Sequence, residues 1–145
     1  MESNKKIGID VGGSHVTVSV FENNSAEKQS QVVIRKEINS KENPLAIISD
    51  IGSCITEVLI GGTTVDAVGI AFPGPFNYEK GVSEIIGVGG KFEQTFGVHV
   101  QQALKNFTGL VDTPFVFAND AHCFAEGAYF RHHLKSKRTV FLTLG

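Results

Sequence analysis

The stretch Ile7 to Phe21, IGIDVGGSHVTVSVF, constrains the fold more than any other part of the chain. Ile7 to Val11 and Val16 to Phe21 read as strands, the second with Val16, Val18 and Val20 alternating against Thr17 and Ser19. A third strand over Gln31 to Lys36 extends them into an antiparallel meander. Gly12-Gly13-Ser14 separates the first two, with Asp10 just before it. Two readings of this turn compete: glycines that supply the positive φ a hairpin requires, or a loop left bare so that a ligand can approach the backbone. An Asp ending an apolar strand is costly to desolvate unless it holds a cation or water, and glycine N–H groups beside it can cradle phosphate oxygens. Together they suit a magnesium nucleotide.

Beyond the meander the elements alternate. Asn43-Pro44 starts a helix, with Asn as cap and Pro in the first turn, and Leu45, Ile48, Ile51, Ile55, Val58 and Leu59 recur at helical spacing until Gly61-Gly62. Ala67 to Phe72 reads as a buried strand that runs into Pro73-Gly74-Pro75. From Pro73 to Gly90 glycines at 74, 81, 87, 89 and 90 leave little periodicity, and a loop of that length is more often functional or mobile than idle. A helix over Phe96 to Phe107 turns Val100, Ala103, Leu104 and Phe107 inward. Phe115 to Ala118 is a strand, and a helix begins near Asn119-Asp120 with Ala121, Phe124, Ala125, Ala128 and Tyr129 on its face. Thr139 to Leu144 reads as a last strand. This order predicts an α/β fold with an antiparallel edge.

At 145 residues the chain suffices for one core burying roughly 70% of its unfolded surface. A formal net charge of -2 leaves no basic footprint for nucleic acid. Cys54 and Cys123 lie far apart and outside any C-x-x-C pair, which predicts buried thiols and a reducing compartment. Met1 to Lys6 is polar and no run reaches the length of a membrane span, so the expectation is a cytoplasmic protein without membrane contact. The sequons at Asn23 and Asn106 are then chance matches.

Asn119-Asp120 also has two readings. Asn and Asp favour helix starts, where the Asp complements the dipole. A carboxylate at a strand-to-helix junction also sits on the rim of the sheet, where ligands of open α/β folds bind, and is placed to accept a proton from a hydroxyl. Arg131, His132, His133, Lys135, Lys137 and Arg138 read as a solvated helix end, and His122-Cys123 as helix-face residues without the second pair a metal site needs. Neither G-x-x-x-x-G-K-[ST] nor G-x-G-x-x-G occurs.

Taken in order, "IGIDVGGSHVTVSVF", "VGIAFPGPFN" and "FVFANDAHCFAEGAY" resemble the amino-terminal half of the ROK family of repressors, open reading frames and sugar kinases, over nearly the whole chain. The resemblance implies the actin-like, hexokinase-like ATPase fold (ribonuclease H-like). It further implies a mixed five-stranded sheet, three antiparallel strands first, with helices on both faces. Residues 1–138 would form the lobe, and 139–145 the first strand of a second lobe broken at Gly145. It implies ATP-dependent phosphorylation of a hexose, glucose or a related sugar, with magnesium. Asp10, Gly12, Gly13 and Ser14 would form the first phosphate loop, Asp10 acting on magnesium directly or through water. Gly74 would border the sugar, Asn119 would bond a sugar hydroxyl, and Asp120 would be the general base. Any zinc site and the adenine pocket would lie in the second lobe; a homo-oligomer of the full-length protein is compatible with the resemblance, which by itself sets no oligomeric state. Ser14 replaces the usual Thr of the family, and His122 stands where Asn is common. The rival expectation is a sugar-sensing regulator; such proteins carry a helix-turn-helix domain ahead of this lobe, and only Met1 to Lys6 precede the first strand here.

Overall fold

The computed structural model describes residues 5–22 and 30–143. In chain order the elements are β1 (Lys5–Val11), β2 (His15–Glu22), β3 (Ser30–Glu37), α1 (Pro44–Val58), β4 (Ala67–Phe72), β5 (Phe76–Asn77), β6 (Val82–Ser83), α2 (Val100–Thr108), β7 (Phe115–Asn119) and α3 (Asp120–Arg131). Five strands form one mixed sheet in the order β3-β2-β1-β4-β7, and β5 and β6 make a separate small hairpin. β1, β2 and β3 pair antiparallel, as the hairpin reading requires. β4 and β7 join parallel to β1 through helical crossovers.

The two-residue period of the strands decides the layers. Ile7 lies opposite Val20 and Val68, Ile9 opposite Val18 and Ile70, so these side chains share one face, and Phe115 and Phe117 of β7 continue it. α1 covers this face with Ile47, Ile48, Ile51, Cys54 and Ile55, all buried, and α2 packs on α1 with Val100 and Leu104. α3 follows β7 directly and contacts β7 and β4 on the other side, where Asp10, Ala71 and Ala118 alternate outward.

Several expectations change. Leu45 is 83% exposed, because at 3.6 residues per turn it lies roughly 120° round the helix from Ile51, off the buried stripe. The second long helix starts at Val100, not Phe96; a 3₁₀ turn over Glu93–Thr95 precedes it. The long loop holds the β5–β6 hairpin and wraps a cluster of rings: Phe72 lies 4.8 Å from Phe76, 5.3 Å from Phe92 and 6.3 Å from Phe117, centre to centre. No residue of α3 is fully buried: Ala121, Ala125, Ala128 and Tyr129 are half-covered, whereas Phe124 is exposed. Cys54 is buried as expected, whereas Cys123 is only partly so. Residues 139–143 form no strand, and Val140 and Leu142 are 87% and 82% exposed. Leu144 and Gly145 lie outside the described residues, as does the first of the two sequons. No helix among the described residues is long and apolar enough to cross a membrane.

Candidate active site

Three parallel strands end at one edge of the sheet. Asp10, Ala71 and Ala118 stand in register across β1, β4 and β7, and Phe72 faces Asn119. The segments that leave these ends are the Gly12–Ser14 turn, Pro73-Gly74 and Asp120. The carboxyl ends of parallel strands are where open α/β sheets bind ligands. A cavity of about 220 Å³ opens there, with Gly13, Gly74 and Asp120 in its wall and Ile85, Lys91 and Phe92 contributed by the long loop.

The turn is tight. Gly12 N–H donates to the His15 carbonyl (2.9 Å), Ile38 N–H to the Ser14 carbonyl (2.9 Å), and the Ser40 hydroxyl to the Gly13 carbonyl (2.7 Å). The Gly13 and Ser14 amides donate to no acceptor among the described residues. Neither Gly12 nor Gly13 has a positive φ, so left-handed backbone is not what requires glycine here. The space beside them is narrow: a Cβ on Gly13 would lie 3.1 Å from Lys91 Cδ, part of a flexible exposed side chain, and one on Gly12 3.3 Å from the His15 carbonyl oxygen. Carbonyls tied back and amides left free make a cradle for an anion.

Asp10 feels the charge of Asp120. Asp10 is exposed, yet neighbouring atoms partly desolvate its carboxyl and raise its pKa; the negative charge of Asp120 adds to this and Arg35 opposes it. The Cys123 thiol is raised by burial and then by the same two carboxylates, so all three groups share a neighbourhood. Asp10 itself does not line the cavity. Among the described residues no three His, Cys, Asp or Glu side chains gather to hold a metal unaided. Magnesium does not need such a cage: it takes one or two carboxylates and completes its shell with substrate phosphates and water. Two carboxylates that repel each other beside free amides fit that mode.

Asn119 caps the helix as expected, and its amide makes a bond the sequence did not announce. Its Oδ1 caps α3 by accepting from His122 N–H (3.2 Å), and its Nδ2 donates to the Tyr78 hydroxyl (3.2 Å). Tyr78 in turn donates to the Phe72 carbonyl (3.0 Å). A Cβ on Gly74 would lie 3.2 Å from that same hydroxyl and 3.8 Å from Asn119 Nδ2, which accounts for glycine there. Asp120 Oδ1 accepts from Ala121 N–H (2.9 Å). Tyr78, Ser40 and Lys91 escape sequence reading because each reaches the site from a loop without periodicity.

The profile of the ROK family matches residues 6–145. The chain belongs to the ROK family. Solved ROK structures share its fold. The ROK hexokinase of Thermus thermophilus is 20% identical with a TM-score of 0.65, covering 86% of this chain and 38% of that one. A ROK family transcriptional regulator homologous to the E. coli MLC protein is 18% identical at 0.62, covering 87% and 30%. A ROK glucokinase from Streptomyces griseus, in complex with glucose and AMPPNP, is 20% identical at 0.56, covering 86% and 36%. The ROK chain described here thus spans well under half the length of these proteins. No curated protein matches it by sequence.

Proposed function

We propose that this ROK chain is the amino-terminal lobe of an ATP-dependent sugar kinase that phosphorylates a hexose, glucose or a related sugar. One observation carries the reading: a glycine turn with free amides and a strand-end carboxylate, Asp120, line one cavity. Phosphoryl transfer asks a protein for little else than positioning and charge compensation around the reacting oxygens. Asn119 and the backbone at Gly74 would hold the sugar, and Asp120 would take the proton of the attacking hydroxyl. Gly12, Gly13 and Ser14 would receive the nucleotide phosphates. Asp10 would hold magnesium, directly or through water, and that ion when bound supplies charge neutralisation on the phosphates.

General-base assistance contributes about 10²–10⁴ in rate. Asp120→Asn in the full-length protein is therefore expected to lower turnover by that factor in a coupled assay across a hexose panel, with sugar affinity by calorimetry preserved. Wild-type turnover in the variant ends the assignment. The second reading, a sugar-sensing regulator, is supported by the shared fold with the regulator at a TM-score of 0.62. It is the better account if the wild-type protein binds hexose yet turns over none.

A further inference from the structure

Lys91 is exposed, yet its side chain lies against the site. Its side chain runs against the Gly13 turn, with Nζ 3.5 Å from the position a Gly13 Cβ would take, and it lines the same cavity as Asp120. Among the described residues its ammonium makes no ion pair, although Asp10 and Asp120 are both close to the turn and cavity it faces.

The backbone at this point is held firmly. Phe92, the next residue, has φ 57°, a left-handed conformation that costs a non-glycine residue on the order of 1 kcal/mol or more. It persists because the Phe92 ring is buried beside Phe72 and its N–H donates to the Ser40 carbonyl (2.6 Å). Ser40 is the residue whose hydroxyl holds the Gly13 carbonyl. On the other flank, Glu93 Oε1 accepts from Val88 N–H (2.7 Å) and Gly90 N–H (3.1 Å). The backbone next to Lys91 is thus fastened, at Phe92 and through Ser40, to the turn with the free amides.

We propose that Lys91 is a catalytic residue whose ammonium faces the phosphoryl group as it passes from nucleotide to sugar. The inference rests on the kinase reading. In the step, the sugar hydroxyl oxygen bonds to the γ-phosphorus, the bond from that phosphorus to the bridging oxygen of ADP breaks, and the hydroxyl proton moves to Asp120. Lys91 keeps its proton and offsets the charge spread over the phosphoryl oxygens. The closeness of its side chain to the Gly13 turn assigns it to phosphate in preference to sugar.

The test uses the full-length protein as wild type, Lys91→Met and Lys91→Arg, with hexose turnover measured by coupled assay and magnesium tripolyphosphate binding by calorimetry. Lys91 is exposed, so an unchanged melting temperature is expected for both variants. Loss of one such charged donor is expected to lower kcat about 10²-fold with little change in hexose KM, and to weaken tripolyphosphate, Arg recovering part of both. Wild-type kcat and tripolyphosphate affinity in Lys91→Met overturn the inference and leave the kinase reading standing. A raised hexose KM with kcat kept also overturns it, placing Lys91 on the sugar. If wild type phosphorylates no hexose but binds tripolyphosphate in a Lys91-dependent way, the kinase reading falls while the phosphate contact is upheld. Absence of tripolyphosphate binding by wild type overturns Lys91 as a phosphate ligand.

Discussion

At the scale of single residues the site sets stability against function. The Asp10 carboxyl is raised by partial burial and by Asp120, so between its ordinary and its raised pKa the folded chain binds a proton that the unfolded chain has released. Stability contributed there is present at low pH and is lost as pH rises through the raised value. Asp10→Asn is accordingly expected to melt higher than wild type at neutral pH, the gain vanishing below the ordinary carboxylate range. Thermal melts across pH check this, and a lower melting temperature at neutral pH refutes it. Tyr78→Phe removes a hydroxyl that bridges the Phe72 carbonyl and the Asn119 amide. It is expected to cost about 1 kcal/mol in denaturant unfolding and to raise the sugar KM more than it lowers kcat. Unchanged KM would show that Asn119 holds its position alone. Asp10, Gly13, Asn119 and Asp120 could be picked out in the sequence because each lies at or just past a strand end in a residue type with its own backbone chemistry, whereas Gly74 came only with the family resemblance. Tyr78 and Lys91 could not, since only the folded loop brings them near.

At the scale of elements, helix–helix contact depends on one absent side chain. Gly52 in α1 lies under the Phe107 ring of α2, and a Cβ there would collide with that ring. Alanine favours a helix interior over glycine by about 1 kcal/mol, but overpacking costs about 1–3 kcal/mol. Gly52→Ala is expected to destabilise the wild type and to become neutral or stabilising once Phe107→Ala has cleared the space; urea melts of the double-mutant cycle decide it. The same pair shows how far periodicity carries: it places Phe107 inward, whereas the ring is 45% exposed and lies over Gly52. α1 was legible because Asn43 caps it, accepting from Ala46 N–H (3.0 Å), and Pro44 opens it. The β5–β6 hairpin was not, because strands of two residues carry no measurable period.

At the scale of the molecule, the order of strands and helices sufficed to anticipate an α/β fold with an antiparallel edge, since short links pair antiparallel and helical crossovers pair parallel. It did not reveal which apolar side chains stay uncovered. Phe124 and Phe130 of α3 and Val116 of β7 are 63%, 60% and 63% exposed. The 145-residue chain expressed by itself is expected to bind a hydrophobic dye, and Phe124→Glu with Phe130→Glu to abolish most of that signal; equal fluorescence from both proteins contradicts it. Ser40 sets a different kind of limit. With one hydroxyl and one carbonyl it grips Gly13 on one wall and Phe92 on the other, so the two sides form a single rigid jaw. Any ligand held between these walls meets a pre-set gap, and its spacing cannot be tuned on one side without dragging the other.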